Sequence, residues 1–381
     1  MRAWQRLIVA CCMAGAVVGG AVVAFGGGPG PKPARLPSFA PLPESASFVG
    51  VTSADVFGGN TDYRTRMLAL QRRSGVGLLR QTFAWSLIES SPGHYDFSRY
   101  DRFVAATARS GIRVLALLFD PPAFRSSRPA KGARRGTYPP ASDGAFGHFA
   151  AVLAARYGSR GSFWRDNPQL PKLPIRSWQV WNEPSLPAYW PAGPDPAAYA
   201  RMLTTVSRAI RAVDPAADVV SAGIPETSIG VPFDRFVSGM LAAGARGSFD
   251  TFAMHPFARD VRDVMAAVSG ARRLLDRHGV HAPIWVTEVG WASGGPPSDF
   301  TVGFEGQATR VSATLRALER ARRKLGLRGV IYFDWRDVPP AAARQDYWGV
   351  HTGLLDVGGR PKPALYAFRR AARAAARQLT H

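Results

Sequence analysis

Cysteine is almost absent from this chain, which limits the crosslinks that its fold can use. The two cysteines, Cys11 and Cys12, are neighbours and both lie in an apolar run near the N-terminus. The folded part of the chain therefore has neither a disulfide nor a metal site built on cysteine. Its stability has to come from a large core, for which 381 residues at 46% apolar composition are sufficient. This length allows one large α/β domain or two ordinary ones.

Lysine and acidic residues are also scarce, so the charge of the chain is almost entirely that of arginine. Only five of the 48 basic residues are lysines, 27 residues are acidic, and the formal net charge is +21. No zinc-finger spacing, base-reading arginine-rich helix or aromatic RNA-binding signature accompanies this charge, and we therefore predict no nucleic-acid partner. The charge is compatible with an anionic substrate or an anionic cell surface.

Charged residues are missing altogether from residues 7–30. Arg2 and Arg6 precede this run, which is apolar as far as Phe25, a layout typical of a secretory signal peptide or a retained membrane anchor. We assign residues 1–25 to that segment, 26–45 to a Gly/Pro-rich linker and 46–376 to the folded domain. An extracellular or cell-envelope location follows, with membrane contact only through the N-terminal segment. The sequence leaves the oligomeric state open.

Beyond the linker, short apolar segments alternate with segments of helical periodicity. Near-continuous apolar strands, each followed by a helix, are typical of a parallel barrel with its helices outside, so we predict an α/β protein with a (β/α)8 TIM-barrel fold. The predicted strands are 48–52, 78–83, 112–119, 178–183, 218–223, 251–255, 283–288 and 328–335. The predicted helices are 63–73, 97–110, 145–157, 196–213, 233–243, 261–278, 306–325 and a closing helix at 364–376.

Polar residues collect at the C-terminal ends of the predicted strands, where barrel enzymes place their active sites. Strand four ends in Asn182 and Glu183, and Pro184 stops its ladder there. Strand seven ends in a second glutamate, Glu288. Two carboxylates that converge on one cleft suit glycosidic bond cleavage, in which one protonates the leaving oxygen and the other attacks the anomeric carbon or activates water.

The motifs at these strand ends resemble those of the retaining glycoside hydrolases of clan A. The segments Asn182-Glu183-Pro184 and Thr287-Glu288-Val289-Gly290-Trp291 match the two motifs of that clan, and Arg80 matches its strand-two arginine. The segment 85–101 is similar to that of family 39, family 42 and family 5 enzymes, and family 39 is the best match within the clan. The resemblance implies a retaining glycosidase that cleaves O-glycosidic bonds of a poly- or oligosaccharide and needs no metal or organic cofactor.

The same resemblance implies roles for individual residues. Glu183 would be the acid/base and Glu288 the nucleophile. Asn182 would meet the substrate 2-hydroxyl, and Arg80 would keep Glu288 ionised. One departure is His255, which stands near the end of strand six where the clan often has a tyrosine that hydrogen-bonds the nucleophile.

Aromatic residues supply flat faces on which sugar rings can stack. Trp85, Trp190, Trp291 and Trp335 lie in or beside the predicted mouth loops, and we expect them to contact substrate. Trp178 and Trp285 have the opposite parity to the glutamates of their strands, so we expect them to point away from the barrel axis. Asp120 and Asp334 are interpreted as loop-capping or arginine-pairing residues.

Two alternatives stay open at this point. A catalytically silent barrel that binds polysaccharide at the cell envelope would carry the same sequence features. A transglycosylase that remodels an exopolysaccharide would differ only in whether water or a sugar intercepts the intermediate. The substrate is a carbohydrate, and an anionic polysaccharide is one of the candidates. The identity of the sugar and the choice between exo and endo action depend on loop shapes that the sequence does not specify.

Overall fold

The structure is a computed structural model that describes residues 47–343 and 345–378. The predicted signal or anchor at 1–25 and the linker at 26–45 lie outside the described residues. No helix of the described ranges is both long and apolar enough to cross a membrane.

Eight parallel strands build the barrel that the sequence predicts. Their bounds are β1 Val49–Thr52, β2 Leu78–Ala84, β3 Arg113–Phe119, β4 Ser177–Val180, β5 in two segments Asp218–Val220 and Ile224–Pro225, β6 Phe252–His255, β7 Ile284–Val289 and β8 Leu327–Tyr332. Strand β1 pairs with both β2 and β8, so the first and last strands are neighbours.

The barrel closes through its divided fifth strand. The first segment of β5 pairs with β4, and the second pairs with β6. Two parallel bridges link each segment to the other neighbour: Val220 of the first segment bridges to Thr251 beside β6, and Gly223 beside the second segment bridges to Asn182 after β4. The sequence predicted one continuous strand here, and the structure shows an interruption at residues 221–223.

Helices cover the outside of the barrel and agree in order with the predicted ones. They are α1 Thr61–Arg73, α2 Ser98–Arg109, α3 Asp143–Tyr157, α4 Pro196–Val213, α5 Phe233–Met240, α6 Val261–Arg277, α7 Gly303–Arg320 and α8 Pro363–Gln378. The start of α4 shows how the sequence sets such a boundary. The Asp195 side chain accepts the backbone N–H groups of Ala197 and Ala198, and Pro196 occupies the first turn, where it removes no helical hydrogen bond.

Shorter elements lie in the connections. They are the helical turns Ala54–Gly58, Trp85–Ile88, Ala123–Arg125, Ser162–Asp166, Leu241–Ala245, Arg322–Leu325, Pro340–Ala343 and Trp348–His351, with a hairpin of Glu89–Ser91 and His94–Tyr95. The hairpin follows β2 and the Ala123–Arg125 turn follows β3, so both lie at the end of the barrel where the predicted site residues collect.

The barrel interior is filled by side chains from six different strands. This inner layer consists of Leu78, Leu115, Val220, Ala253, Trp285 and Ile331. Trp285 belongs to this inner layer, so the expectation that it faces the helices was wrong. That expectation assumed a regular alternation of side chains from Trp285 to Glu288. The pairing of β7 with β8 shifts register between Val286 and Val289, so the alternation is not kept. Trp178 lies in the outer layer, where its ring meets Phe83 edge-on, as expected.

Candidate active site

The end of β4 presents Glu183 through an unusual backbone. Trp181 and Glu183 have φ values of 74° and 42°, in the left-handed region that non-glycine residues rarely occupy. The surroundings hold this conformation, since the Glu183 N–H donates to the Gly223 carbonyl at 3.2 Å and Trp181 Nε1 donates to the Tyr189 carbonyl at 3.1 Å. Backbone strain of this kind persists where packing fixes it, and it is common at functional sites.

Arg80 connects the ends of three strands. From β2, its guanidinium donates to Glu288 Oε1 at 2.5 Å, to Asn182 Oδ1 at 2.7 Å and to Gln179 Oε1 at 2.7 Å. The arginine and its partners are all buried. A planar guanidinium has donors in fixed directions, so these three contacts set the positions of the β4 and β7 side chains relative to each other.

His255 links the two glutamates from the end of β6. Its Nδ1 lies 2.7 Å from Glu183 Oε1, and its Nε2 lies 3.0 Å from Thr287 Oγ1 and 3.7 Å from Glu288 Oε1. Burial, with a contribution from the positive charge of Arg80, lowers the pKa of His255 well below its ordinary value. The ring is therefore neutral near pH 7, with one nitrogen that donates and one that accepts.

The two glutamate side chains approach each other closely. One oxygen of Glu183, one oxygen of Glu288 and a ring nitrogen of His255 all lie within 4.8 Å of one another. Burial raises the pKa of Glu288 above its ordinary value, and the Arg80 guanidinium limits the rise. Glu183 is 1% exposed and Glu288 is 7% exposed, so both carboxylates are largely withdrawn from water.

A cluster of two carboxylates and one imidazole is also a potential metal site. Arg80 donates to the same Glu288 oxygen that lies nearest His255, so a cation bound there would face the guanidinium charge. Both ring nitrogens of His255 already have hydrogen-bond partners. These contacts fit a hydrogen-bonded acid pair better than a metal centre, and independence from metals stays a prediction.

Two further residues belong to this network, although the sequence did not single them out. Gln179 accepts from Arg80 and donates to Thr287 Oγ1 at 3.3 Å, and Thr287 contacts His255. Both are fully buried in the barrel. Their signal in the sequence is a polar side chain inside an otherwise apolar strand, because a buried polar group requires a partner.

The predicted aromatic residues lie deeper than the sequence suggested. The relative exposures are 1% for Trp85, 6% for Trp190, and 0% for Trp291 and Trp335. Trp85 stacks on Phe149 at 5.0 Å, and its Nε1 donates to Glu89. These side chains pack in the walls of the loops, and the structure does not bring Trp85 into the Arg80 network.

A different aromatic group lies beside His255. Phe257 is 6.2 Å from the His255 ring, 6.3 Å from Phe333 and 5.3 Å from Trp348. The Phe300 ring lies 4.5 Å from the Trp348 ring, centroid to centroid, in a tilted arrangement. This group comes from the connections after β6, β7 and β8, and the sequence motifs did not point to it.

The two aspartates at strand ends make local hydrogen bonds. Asp120 accepts from Ser86 Oγ at 2.6 Å, and Asp334 accepts from the Trp335 backbone N–H at 2.6 Å. Burial, then the charge of Asp55, raises the pKa of Asp334 well above its ordinary value. Asp334 is 7% exposed, and its carboxyl group interacts electrostatically with Glu288 at this end of the barrel.

No family model matches the chain, and no curated protein sequence matches it. Solved structures share its fold. It is similar to a family 39 glycoside hydrolase from the gut symbiont Bacteroides cellulosilyticus WH2, with a TM-score of 0.62 and 21% identity over 87% of this chain and 64% of that one. It is similar to a monomeric β-xylosidase from Caulobacter crescentus CB15, with a TM-score of 0.62 and 16% identity over 87% and 69% of the two chains.

A third similar structure is a family 5 glycoside hydrolase from Streptomyces cattleya in complex with Manβ1-4GlcNAc. Its TM-score is 0.62, with 18% identity over 85% of this chain and 80% of that one. The chain has a glycoside hydrolase barrel fold. The predicted TIM barrel, and the predicted resemblance to family 39 enzymes of clan A, are thus confirmed as a likeness of fold.

Proposed function

We propose that this protein is a retaining glycosidase that hydrolyses O-glycosidic bonds of a poly- or oligosaccharide. The observation that carries the proposal is the approach of Glu183 and Glu288 from opposite sides of the barrel to within 4.8 Å, oxygen to oxygen. Retaining enzymes hold their carboxyl groups about 5–5.5 Å apart, whereas inverting enzymes leave roughly 6.5–9.5 Å for a water molecule. The likeness of fold to glycoside hydrolases supports the same reaction class.

The reaction proceeds in two displacements. In the first, Glu183 gives its proton to the leaving oxygen while a Glu288 oxygen attacks the anomeric carbon, so the glycosidic bond breaks and a glycosyl ester forms. In the second, Glu183 takes a proton from water, the resulting hydroxide attacks the same carbon, and Glu288 leaves as a carboxylate. Each glutamate ends in its starting state.

The neighbouring side chains support these roles. Arg80 stabilises the carboxylate of Glu288 by a charge-assisted hydrogen bond. The neutral His255 ring can donate to the Glu183 carboxylate or accept from its protonated form, because Thr287 offers a hydroxyl that can reverse its own hydrogen bond. Asn182, held by Arg80, orients the substrate.

We also propose that the protein is exported. The apolar run at residues 7–25 and the basic residues before it support export, with the enzyme acting outside the cell or in the cell envelope. The carbohydrate can be neutral or anionic, and the charge of +21 favours an anionic one.

Paired glutamine variants test the proposal. Glu288→Gln removes the nucleophile and is expected to abolish hydrolysis of aryl glycosides. Glu183→Gln removes the proton donor and is expected to lower kcat/KM by about 10²–10⁴-fold on a sugar leaving group, and much less on a nitrophenol, which leaves without protonation. The kcat should fall for both substrates, because Glu183 also acts as the base in the second displacement. The exposed Glu305 provides the control, since Glu305→Gln should keep wild-type rates.

The same measurements separate the alternatives. Equal traces of activity in wild type and Glu288→Gln, together with retained binding of polysaccharide, would support the silent barrel instead. Longer oligosaccharides formed at high acceptor concentration would support a transglycosylase. Loss of activity on dialysis against EDTA would favour a metal hydrolase at the cluster of Glu183, His255 and Glu288.

A further inference from the structure

An aromatic ring lies at the mouth of the barrel, next to the histidine that joins the two glutamates. Phe257 follows the end of β6 by two residues, and its ring centroid lies 6.2 Å from that of His255 and 6.3 Å from that of Phe333, which directly follows β8. Strand β7, which carries Glu288, pairs with both β6 and β8. Phe257 thus contacts the ends of the two strands that flank the strand of the proposed nucleophile.

A second ring, that of Phe300 in the connection after β7, extends this surface. Its centroid lies 6.4 Å from that of Phe257 and 4.5 Å from that of Trp348, which is inclined to it by 35°. The buried Trp348 packs against one side of Phe300, whereas Phe257 and Phe300 are both partly exposed. The four rings around Phe257 meet it at interplanar angles of 68–88°, so none of them lies flat on its face.

Polar side chains stand next to these two rings along the chain. The exposed Arg259 donates to the partly exposed Asp299 at 3.1 Å, and this ion pair joins the connection after β6 to the connection after β7. Trp291 Nε1 donates to the Ala258 carbonyl at 2.9 Å and joins the same two connections. Flat apolar surfaces accompanied by a few polar groups are typical of small-ligand sites, in which the polar groups orient the ligand.

A buried ammonium group holds the connections that carry the rings. Lys362 is 3% exposed, and its Nζ donates to Ser293 Oγ at 2.8 Å, to Asp337 Oδ1 at 2.6 Å and to the His351 carbonyl at 3.3 Å. Ser293 lies in the connection after β7, and the other two acceptors lie in the connection after β8, which also carries Trp348. The aromatic surface is therefore arranged before a ligand arrives, which reduces the entropic cost of binding.

We propose that Phe257 and Phe300 form a substrate subsite, on which a sugar ring of the poly- or oligosaccharide stacks beside His255. A phenyl ring has no hydrogen-bonding group, and its flat face matches the C–H face of a sugar ring. The inference rests on the proposed function, because it assigns these rings to the substrate of the same site. The tryptophans that the sequence singled out are at most 6% exposed, which leaves the two phenylalanines as the more accessible rings.

Binding measurements on the full chain test the subsite. The parent protein is Glu288→Gln, in which the substrate is not consumed. The ligands are xylotetraose, cellotetraose, mannotetraose and tetragalacturonate, and each is titrated calorimetrically. Phe300→Leu keeps an apolar side chain against Trp348 but removes the flat ring, and Phe300→Tyr keeps the ring. The matched control is Phe304→Leu, the same change at an exposed phenylalanine 53% open to solvent.

We expect Phe300→Leu to lose affinity about three- to tenfold for the tetrasaccharide that the parent binds most tightly, since a single aromatic stacking contact has effects of that size. Phe300→Tyr and Phe304→Leu should bind like the parent. Stacking is not a charge interaction, so the loss should be the same at about 0.05 M and about 0.5 M NaCl. Phe257→Leu should lose affinity as well, and it carries the test if Phe300→Leu does not fold.

The subsite is overturned if none of the four tetrasaccharides binds, if Phe300→Leu binds like the parent, or if Phe300→Tyr or Phe304→Leu loses as much affinity as Phe300→Leu. Hydrolysis by the protein with Glu288 intact is measured separately. Hydrolysis together with unchanged binding in Phe300→Leu contradicts the subsite alone. Absence of hydrolysis together with weakened binding in Phe300→Leu contradicts the proposed reaction and supports the subsite.

Discussion

The buried imidazole of His255 shows how one residue can couple stability to catalysis. Its two nitrogens contact Glu183 and Thr287, and its pKa lies well below the ordinary value because of burial and the nearby Arg80. In the unfolded chain the same imidazole titrates near pH 6.5. Below that pH the unfolded state binds a proton that the folded state does not, so the free energy of unfolding falls as the pH falls.

This coupling predicts a pH-dependent stability that disappears in His255→Gln. From this group alone, wild type should lose up to about 1.4 kcal/mol per pH unit between pH 6.5 and pH 5. Urea unfolding at pH 7 and pH 5 measures the difference. Glu288, with its raised pKa, contributes in the opposite direction in both proteins, so the comparison of variant with wild type isolates the histidine.

The control for this prediction is His94→Gln, which removes an exposed histidine. It should keep the wild-type dependence on pH. If His255→Gln loses the same amount of stability between pH 7 and pH 5 as wild type, the imidazole is not held neutral in the folded state.

At the residue scale, the sequence predicted the charged part of the site better than its surroundings. Arg80, Asn182 and Glu288 meet in one network because strand ends in a barrel converge. The buried environment of Trp85 could not be predicted, since it depends on Phe149 in a helix 64 positions further along the chain. Sequence spacing shows which residues share an end of the barrel, and side-chain packing determines which of them face the cleft.

At the element scale, the interruption of β5 makes room for His255. The two segments of β5 are separated by residues 221–223. A Cβ atom added at Gly223 would lie 2.0 Å from His255 Nε2, which is closer than any real contact. The glycine therefore allows the imidazole to reach Glu183, and the interruption in the strand is part of the site.

We predict that Gly223→Ala lowers kcat/KM by about 10²-fold, because a displacement of about 1 Å at a catalytic network has effects of that size. The far-UV circular dichroism spectrum should stay close to that of wild type. The matched control is Gly58→Ala, where the added Cβ has no atom within 4 Å.

A second variant distinguishes an effect on catalysis from a general loss of folding in Gly223→Ala. Thr287→Val removes the hydroxyl that contacts His255 Nε2 without adding bulk near the glycine. Thr287→Val should also lower kcat/KM. Wild-type activity in both variants would show that the position of His255 has no bearing on catalysis.

The elements themselves were predictable to the extent that local sequence determines them. Apolar runs and helical periodicity gave eight strand and helix pairs, and the order agrees with the structure. The interruption of β5 and the register shift in β7 were not predictable, because both depend on neighbouring strands. The inward position of Trp285 follows from that shift.

At the scale of the whole molecule, the two ends of the barrel carry different chemistry. One end gathers the glutamates and the loop after β3, which contains Arg128, Lys131, Arg134 and Arg135. The other end carries a cavity whose lining includes Arg113, Arg176, Arg322 and Arg328. With a net charge of +21, the molecule attracts polyanions at long range, and the local distribution of charge decides where they bind.

This distribution predicts how salt affects substrate capture. Association of the Glu288→Gln protein with an anionic polysaccharide such as a polyuronate should slow steeply as NaCl rises from 0.05 M to about 0.5 M, because screening shortens the reach of the field. Association with a neutral polysaccharide should change little.

Two variants locate the charges that cause this effect. In Arg134→Gln/Arg135→Gln the salt dependence should weaken, since two exposed charges beside the mouth are lost. Arg322→Gln, at the opposite end of the barrel, should leave the salt dependence intact. Surface plasmon resonance measures these rates, and equal salt dependence for anionic and neutral polymers would show that the net charge does not direct the substrate to the mouth.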